Sequence, residues 1–598
     1  MSILALKKAT LVGLTEDKAQ ILDQLQALGV MHIIPLQKLT SSTPSSHLNT
    51  DGLNVSPEQL YESLHYLLNC KQKRKQVMSE RHFNLLSVIQ QVEKNRRLRL
   101  DLVERYDFLQ KRIEDLTPWG SFILPAENEF YGQRFWFYLV PNFRMKEVQK
   151  VDLPWQLVHR DNRHSYIAVI AEHEPGINAL PVVRTHTGAI PLAQLKRELE
   201  DIEIELETIE AEREGFTRWI YLLQRSIAGT DDAAQLAEVS SQTLDRDEIF
   251  AVQGWLAEED VEQLASLAKA QGLVLQLEAP SEDELPPTLL DNPTAVAGGE
   301  EVVNFFQMPG YRSWDPSRVV FFSFVSFFAL IMSDAGYSLL LAAILLFYWQ
   351  RMGMTESGVR LRAMGCALAL AGFIWGVLVG SYFGAHAPFE WLQGLKMLDL
   401  NDFDSMMLLS ITVGALHLIL GNLMMAWVRR RSLQAWAAIG WATSLAVALA
   451  GWIQGFTPAH WVFFAAGLVL VLCFSSARSG WSGMRLVDGL LALTGITKLF
   501  GDVLSYLRLF ALGLASASLA MTFNKLAVDV AAALPAIGLL FKVLILLVGH
   551  LLNFGLTVIS GVIHGLRLNL IEFYNWSLAD EGYAFQPFAK QEVSPWIT

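Results

Sequence analysis

Hydrophobic residues are distributed unevenly along this chain of 598 residues. Before about residue 315 no apolar run is long enough to cross a bilayer, whereas after Pro316 such runs follow one another. Hydropathy predicts spans at about 318–333, 336–350, 363–385, 405–428, 434–454, 459–475, 490–524 and 536–574. The last two exceed the roughly twenty residues that a crossing needs, so we expect long, tilted C-terminal helices. Residues 316–598 are therefore predicted to form an all-α membrane domain of eight transmembrane helices.

The polar half, residues 1–315, has a mixed α and β pattern that predicts a cytoplasmic arm. A strand–helix–strand pattern near the start, and a strand and a helix further on, predict a proximal lobe made of residues 1–50 and 240–285. Two charged helical runs, 56–117 and 190–228, predict a long antiparallel coiled coil. In the second run the apolar positions that would face the partner helix are spaced by alternating steps of three and four. They are Leu192, Leu195, Leu199, Ile202, Leu206 and Ile209. Between the runs, apolar strands within 118–189 predict a distal lobe, so the arm is expected to be two α+β lobes joined by the coiled coil.

Loop charges give the predicted spans a direction. With a cytoplasmic amino terminus, the inside loops hold Arg351, Arg360, Arg362, Arg429, Arg430, Arg431, Arg478 and Arg485. The outside loops hold only Lys396 and Lys525 as basic residues. Because positive charge collects on the cytoplasmic side of membrane proteins, both termini are predicted to be cytoplasmic. The first eight residues show no signal-peptide pattern, which agrees with this orientation.

Composition narrows the possible functions. Hydrophobic residues make up 52% of the chain, which is too apolar for a soluble enzyme of this size, and the net charge of −13 argues against nucleic acid as a partner. The three cysteines are far apart and have no metal-ligand or redox spacing. The polar half contains no phosphate-binding glycine loop and no catalytic triad. We therefore expect no metal, no cofactor and no catalytic residue for ATP chemistry in this chain.

An arginine, Arg508, lies within the seventh predicted span. A charge near the bilayer centre costs at least about 2.5–3.5 kcal/mol on insertion scales, so such a residue persists only where it faces a partner or a water-filled path. Asp502 and Ser505 precede it on the same broad polar face. Two interpretations follow, a structural arginine paired inside the helix bundle or a charge on an ion pathway.

The last predicted span carries a stripe of polar residues. Steps of three and four place six of them on one helix face: His550, Asn553, Thr557, Ser560, His564 and Arg567. Glu572 and Asn575 lie just beyond, toward the cytoplasmic end. Such a stripe either joins helices by hydrogen bonds or lines an aqueous path, and the second intramembrane arginine favours the path.

Two other features of the membrane half are predicted to be structural. Gly372, Gly376, Gly380 and Gly384 recur at steps of four, which predicts a face for close helix packing. The isolated His417 of the fourth span is interpreted as a histidine satisfied within the bundle.

Two segments carry a resemblance to a known family. The more specific is Ser505–Ala515, preceded by Gly501 and Asp502, and the second is His564–Leu568 with Glu572–Tyr574. They resemble the membrane stator subunit of the vacuolar/archaeal-type (V/A-type) rotary ATPases, called subunit a, or subunit I in prokaryotes. Weaker matches run along the whole chain, and together they imply a prokaryotic member embedded in the cell (inner) membrane.

The resemblance implies an ion-translocating subunit that couples H⁺ or Na⁺ transport to ATP hydrolysis or synthesis in other subunits. It implies that this chain abuts a rotating ring of proteolipid subunits, each with a membrane carboxylate, and that Arg508, supported by Arg567, favours the ionised carboxylate and so releases the ion. The outer half-channel would use His550, Asn553 and Thr557, with Ser560 on the same stripe, and the inner one His564 and Glu572. The arm would dock on peripheral stalk subunits and on a subunit near the central stalk.

Two rival interpretations remain open. A self-contained transporter or channel with a coiled-coil regulatory arm would conduct ions alone, although the inverted repeats of many transporters are not visible in the membrane half. A purely structural scaffold would tolerate neutralisation of both arginines.

Overall fold

The computed structural model of the protein describes residues 2–36, 56–122, 132–176, 179–186, 190–385, 389–399, 402–478, 483–534 and 537–591. These residues form two compact units. The first unit takes the described residues within 1–21, 28–37 and 242–588, and the second takes those within 22–27, 38–241 and 589–598.

The strands and helices are numbered in chain order. The strands are β1 (Leu6–Leu14), β2 (Met31–Ile34), β3 (Arg134–Pro141), β4 (Trp155–Arg160), β5 (His164–Ala171), β6 (Leu244–Arg246), β7 (Ile249–Ala257) and β8 (Val274–Glu278). The helices of the polar half are α1 (Lys18–Leu28), α2 (Pro57–Leu68), α3 (Leu85–Leu116), α4 (Met145–Val148), α5 (Leu192–Phe216), α6 (Ile220–Gln242), α7 (Val261–Ala270) and α8 (Gly298–Phe306). Those that follow are α9 (Ser317–Met332), α10 (Ala335–Met352), α11 (Glu356–Val379), α12 (Glu390–Gln393), α13 (Phe403–Val428), α14 (Gln434–Gln454), α15 (Pro458–Phe474), α16 (Gly483–Leu493), α17 (Gly495–Ser505), α18 (Leu507–Ala533), α19 (Gly538–Arg567) and α20 (Tyr574–Ser577).

A five-stranded antiparallel sheet forms the polar part of the first unit. Its order is β2–β7–β1–β8, with β6 beside β7. Alternate residues of β1, among them Ala9 and Leu11, are buried, as a strand with one covered face requires. Gly254 on β7 has to be a glycine, because a Cβ atom there would lie 2.4 Å from the carbonyl oxygen of His32 on β2. The strand and helix pattern predicted for the two ends of this lobe is therefore present, and strand β8 completes the sheet.

The second unit contains the helical runs, but the first run is interrupted. The sequence predicts one run over 56–117, whereas the structure has α2 and α3, and the segment between Leu68 and Leu85 contains no α-helix but a 3₁₀ turn at Glu80–His82. The interruption has local causes: Asn69 ends α2, and the Asn84 side chain accepts the backbone N–H of Ser87 to start α3. The second run extends beyond its predicted end, through a 3₁₀ turn at Thr217–Trp219, to Gln242.

Helices α3 and α5 lie side by side in opposite directions. Arg99 Nε is 3.1 Å from Glu210 Oε2, and Arg105, further along α3, pairs with Glu198, earlier on α5. Leu109 and Leu195 are buried in the apolar cluster between them. Beyond the pair, strands β3, β5 and β4 form a three-stranded antiparallel sheet. Coiled-coil packing of the pair stays a prediction.

The membrane half of the chain is helical throughout its described length, apart from the connecting segments. Five helical stretches are long and apolar enough to cross a membrane: Glu356–Val379, Phe403–Val428, Gln434–Gln454, Gly483–Ala533 and Gly538–Ser577. Three shorter apolar helices accompany them: Ser317–Met332, Ala335–Phe347 and Pro458–Phe474. These helices point to an integral membrane protein, and the number of crossings stays a prediction.

Both long C-terminal elements are interrupted, which the hydropathy pattern does not reveal. The first stretch breaks at Thr494 and again at Tyr506, where α17 gives way to α18. The second passes from α19 into a π-helical turn, Leu568–Phe573, and then into α20. Such turns insert one residue into a helix and occur often at functional sites.

The predicted glycine face is only half correct. Gly372 meets Ser338 and Gly376 meets the backbone of Asp334–Ala335, so these two allow α11 to approach the start of α10 closely. Gly380 and Gly384 lie beyond the end of α11 and have φ angles of 78° and 68°. Glycine at these two positions provides a left-handed backbone conformation outside the α11 face. Gly384 also allows a close approach to α18, because a Cβ atom there would lie 2.6 Å from the Cβ atom of Ala520.

Residues after α20 run back onto the five-stranded sheet. The N–H of Phe588 donates to the carbonyl oxygen of Met31 at 2.8 Å, and that of Phe585 donates to Thr288 at 3.1 Å. The N–H of Gln586 donates to Nδ1 of His32 at 3.0 Å. We call residues 580–588 the return segment. It ties the last helix of the membrane half to strand β2.

The attachment of the return segment should depend on pH. Burial holds the pKa of His32 below its ordinary value of 6.5, against a smaller opposite effect of the Gln586 carbonyl oxygen 3.1 Å from Nδ1. Protonation would remove the Nδ1 acceptor that the Gln586 N–H uses. A released segment leaves His32 free to bind a proton, so attachment should be stable above about pH 6.5 and weaken as the pH falls below it. Hydrogen exchange at Gln586 and Phe588, corrected for intrinsic rates, should therefore show less protection at about pH 5 than at about pH 7.5. In the control variant His32→Gln, protection should not depend on pH. Equal protection of the unmodified protein at both pH values would contradict the prediction.

Candidate functional site

Arg508 lies at the start of α18, two residues after the break at Tyr506. Its side chain is partly buried, and its Nη1 is buried without a hydrogen-bond partner among the described residues. Arg508 is close enough to Arg567 and Glu572 to feel both charges. A buried guanidinium group normally has its donors satisfied. This group therefore keeps a donor free for something outside the described residues.

Arg567, Glu572 and His564 surround the end of α19. Arg567 Nε lies 3.6 Å from Glu572 Oε1, with the arginine side chain 50% exposed and the glutamate 3% exposed. The other carboxylate oxygen of Glu572 and Nδ1 of His564 are buried and lack hydrogen-bond partners in the part of the chain that the structure describes. The π-helical turn separates Arg567 from Glu572 and lets the carboxylate face the guanidinium group. This cluster and Arg508 bring together four of the predicted site residues.

Asp502 and Ser505 do not join this cluster through hydrogen bonds. Asp502 Oδ2 accepts the indole N–H of Trp576 at 2.7 Å, and the Lys498 ammonium group lies 5.9 Å from the centre of the same ring. Ser505 Oγ donates to the carbonyl oxygen of Gly501, within its own helix. Asp502 thus connects α17 to α20.

The amino-terminal part of the polar stripe, from His550 to Thr557, forms hydrogen bonds between helices. His550 Nδ1 is 2.8 Å from the hydroxyl oxygen of Tyr337, and Asn553 Nδ2 donates to that oxygen at 2.9 Å. Thr557 Oγ1 lies 2.7 Å from Ser516 Oγ on α18. Asn553 and Thr557 are 1% and 3% exposed. This part of the stripe joins α19 to α10 and α18, while Ser560, partly buried, lies between it and His564.

Asp334, which is not among the predicted site residues, is a buried carboxylate next to this network. It is 2% exposed, and its Oδ1 accepts the N–H groups of Tyr337 and Phe383, both at 3.0 Å. Its Oδ2 accepts the Ser381 hydroxyl at 2.7 Å and the Gly384 N–H at 3.0 Å. One carboxylate therefore caps α10 and also holds the segment after α11. The signal that could have found it is an acidic residue directly before an apolar helix.

The arrangement can act on a carboxylate brought to it from outside the chain. A fixed cation with a free donor stabilises the ionised form of a carboxyl group and disfavours the protonated form. Arg567 is partly neutralised by Glu572, whereas the described residues contain no ion pair of Arg508. Arg508 is therefore the stronger electrostatic group.

Comparison with known proteins gives several relatives, although no family model matches the chain. V-type ATP synthase subunit I of Chlamydia trachomatis serovar D is 30% identical over 433 residues, which cover 60% of this chain and 65% of the relative. A-type ATP synthase subunit I of Methanocaldococcus jannaschii is 28% identical over 65% of this chain and 63% of the relative. V-type ATP synthase subunit I 1 of Treponema pallidum is 26% identical over 98% of this chain and all of the relative. The matches thus span just under two thirds of the first two relatives and the whole of the third.

A solved structure described as the cytoplasmic N-terminal domain of subunit I, homolog of subunit a, of V-ATPase is 15% identical. It covers 46% of this chain with a TM-score of 0.22, which is too low to support an argument about the fold. The relative from Treponema pallidum, which matches 98% of this chain, is also named subunit I. The chain is similar in sequence to subunit I of the V-type and A-type ATP synthases.

Proposed function

We propose that this chain is the ion-translocating membrane subunit of a V/A-type ATPase or ATP synthase. The observation that carries the proposal is Arg508, a charge within an apolar helical stretch whose buried Nη1 has no partner among the described residues. A partner in another subunit explains why this costly arrangement persists. The names of the relatives support an assembly in which such a subunit exists.

The partner would be the membrane carboxylate of a proteolipid subunit in a rotating ring. In lipid such a carboxyl group is neutral and carries H⁺, or it is paired with Na⁺. Opposite Arg508 the ionised carboxylate is favoured, so the ion leaves before the ring turns further. The fixed charge of Arg508 also opposes direct leakage of cations between the two half-channels. ATP chemistry would take place in other subunits.

The half-channels follow from the grouping of polar residues. His564 and Glu572, with Arg567 between them in sequence, would serve the cytoplasmic half-channel. His550, Asn553 and Thr557 would border the outer one, where their hydrogen bonds to Tyr337 and Ser516 also hold the helices in place.

The remaining organisation is part of the same proposal. Residues 1–315 would be a cytoplasmic arm whose coiled coil docks on peripheral stalk subunits and on a subunit near the central stalk. Residues 316–598 would cross the membrane eight times with both termini in the cytoplasm. The paired helices α3 and α5 and the eight apolar helical stretches support this division.

The proposal is tested against the self-contained transporter by comparing two preparations in vesicles. The affinity-tagged chain, purified gently, should carry a proteolipid ring with it, and only the whole complex should acidify vesicles when ATP is added. The chain purified alone should conduct neither H⁺ nor Na⁺ under an imposed gradient. Selective ion flux through the chain alone would favour the rival function.

Arg567 should support transport through charge and geometry together. Arg567→Ala leaves the buried Glu572 carboxylate without its cation, and we expect ATP-driven transport to fall about tenfold or more. Arg567→Lys should recover part of the loss, since it keeps the charge but not the planar guanidinium group. Transport is measured by quenching of a pH-sensitive dye at equal amounts of assembled complex. Unchanged transport in Arg567→Ala would remove this residue from the site.

A further inference from the structure

Helix α13 presents a face that receives one aromatic ring from each arginine-bearing segment. A Cβ atom on Gly414 would lie 2.4 Å from the ring of Tyr506, so only glycine lets that ring reach the α13 backbone. Two turns further along, a Cβ atom on Gly421 would lie 3.2 Å from the ring of Phe573. His417 stands between the two glycines on the same face. Both rings are fully buried.

His417 contacts both rings directly. Its Nδ1 is 2.9 Å from the hydroxyl oxygen of Tyr506. Its imidazole ring stacks on Phe573 with centroids 4.1 Å apart and planes 6° apart. The ring of Phe327 on α9 meets both His417 and Tyr506 edge to face, at 5.2 and 5.7 Å. The imidazole is therefore fixed on three sides.

The two contacts of His417 lie next to the proposed ion-translocating residues. Tyr506 is the residue at the break between α17 and α18, and Arg508 follows two residues later. Phe573 ends the π-helical turn and directly follows Glu572. A single side chain on a third helix thus connects the Arg508 segment to the Arg567–Glu572 segment.

Packing alone does not explain a histidine at this position. Its Nε2 is buried and has no hydrogen-bond partner among the described residues, and an unsatisfied buried polar group is destabilising. A phenylalanine would stack on Phe573 without that cost. What phenylalanine cannot provide is the hydrogen bond to Tyr506.

We propose that His417 is a positioning residue that, through its hydrogen bond to Tyr506 and its stacking on Phe573, sets the spacing between Arg508 and the Arg567–Glu572 pair. This inference rests on the proposed ion-translocating function. It revises the sequence interpretation of His417 as a histidine merely satisfied within the bundle. A shift of the break at Tyr506 moves Arg508 with it, and displacement of a positioned group by about 1 Å can reduce a rate by about a hundredfold.

The test separates the hydrogen bond from the ring. His417→Phe keeps a ring that can stack and removes the bond, Tyr506→Phe removes the bond from the other side, and His417→Asn places a polar amide atom near the position of Nδ1. Each variant is assembled into the whole complex and inserted into vesicles, and the ions transported per ATP hydrolysed are measured. We expect His417→Phe and Tyr506→Phe to lower this ratio about tenfold and His417→Asn to recover much of it. Tyr382→Phe is the matched control, because the Tyr382 hydroxyl is buried without a partner among the described residues, and its ratio should not change.

The double variant His417→Phe, Tyr506→Phe distinguishes positioning from stability. If the single variants fail only because a polar group is left unpaired in the core, removing both partners should restore the ratio, since no unpaired group then remains at this contact. If the bond sets the position of Arg508, the double variant stays as poor as the singles. A normal ratio in the singles, or recovery in the double, would overturn the inference. A wrong proposed function would give another result. Arg508→Ala would then transport ions normally, regardless of the result for the His417 variants.

Discussion

Replacing Arg508 with alanine should abolish ATP-driven ion transport while the complex still assembles. Arg508 is only partly buried, and the described residues contain no ion pair that its removal would break. Its loss therefore leaves no unpaired buried carboxylate within this cluster, unlike the loss of Arg567. What disappears is the cation that favours release of the ion from an incoming carboxylate. We expect transport to fall below detection, at least about a hundredfold.

The experiment compares variants at equal amounts of assembled complex in vesicles. Arg508→Lys keeps the charge on a different geometry and should retain at most a small part of the transport. Arg431→Ala is the matched control, because Arg431 is an exposed arginine in the predicted loop after α13, and its removal should leave transport unchanged. Coupled transport in Arg508→Ala would contradict the role of Arg508 in ion release. It would also remove the main support for the proposed function.

Replacing Asp334 with alanine should destabilise the membrane half more than any change at the arginines. The carboxylate accepts four hydrogen bonds, three of them from backbone N–H groups that cannot move to other partners without unfolding a turn. Hydrogen bonds to a charged group contribute about 1.5–3 kcal/mol each, so we expect a loss of at least about 3 kcal/mol. The observable consequences are a lower melting temperature in detergent and a lower yield of complex.

Two variants make the result at Asp334 specific. Asp334→Asn keeps one carbonyl oxygen, so it should retain part of the hydrogen bonding and melt between the unmodified protein and Asp334→Ala. Asp399→Ala is the control, since Asp399 is 51% exposed and forms an exposed ion pair with Lys396, and pairs of this kind contribute about 0–1 kcal/mol. An unchanged melting temperature in Asp334→Ala would contradict the structural role.

The sequence reveals charges that need an explanation, but not the groups that explain them. Arg508 and Arg567 can be found from the chain alone, because an arginine in an apolar stretch is costly wherever it points. The stripe from His550 to Arg567 is likewise visible as a helix face. Whether that face meets water or another helix depends on tertiary contacts. Its part from His550 to Thr557 meets Tyr337 and Ser516.

The sequence pattern does not predict the contacts of His417 or of Asp334, and the physical reason is the same. The hydrogen-bond partner of His417 is 89 residues away in sequence, and that of Asp334 on Ser381 is 47 residues away. Helical periodicity reports which residues share a face, and it carries no information about distant partners. The break at Tyr506 and the π-helical turn are also invisible to hydropathy, since both lie within continuous apolar stretches. The strands of the first sheet were easier to predict, because alternation and turn residues are local signals.

The return segment bears on the order of events during synthesis. Strand β2 is synthesised before the described membrane helices, whereas the segment that hydrogen-bonds to it, residues 580–588, is synthesised after them. Chains generally fold from the amino terminus as they are made. Here the edge strand β2 lacks its hydrogen bonds to the return segment until the described membrane helices have been made. Docking of the return segment on β2 therefore follows synthesis of these helices, and a nascent protein stalled before that point would leave the β2 edge open to chaperones and proteases.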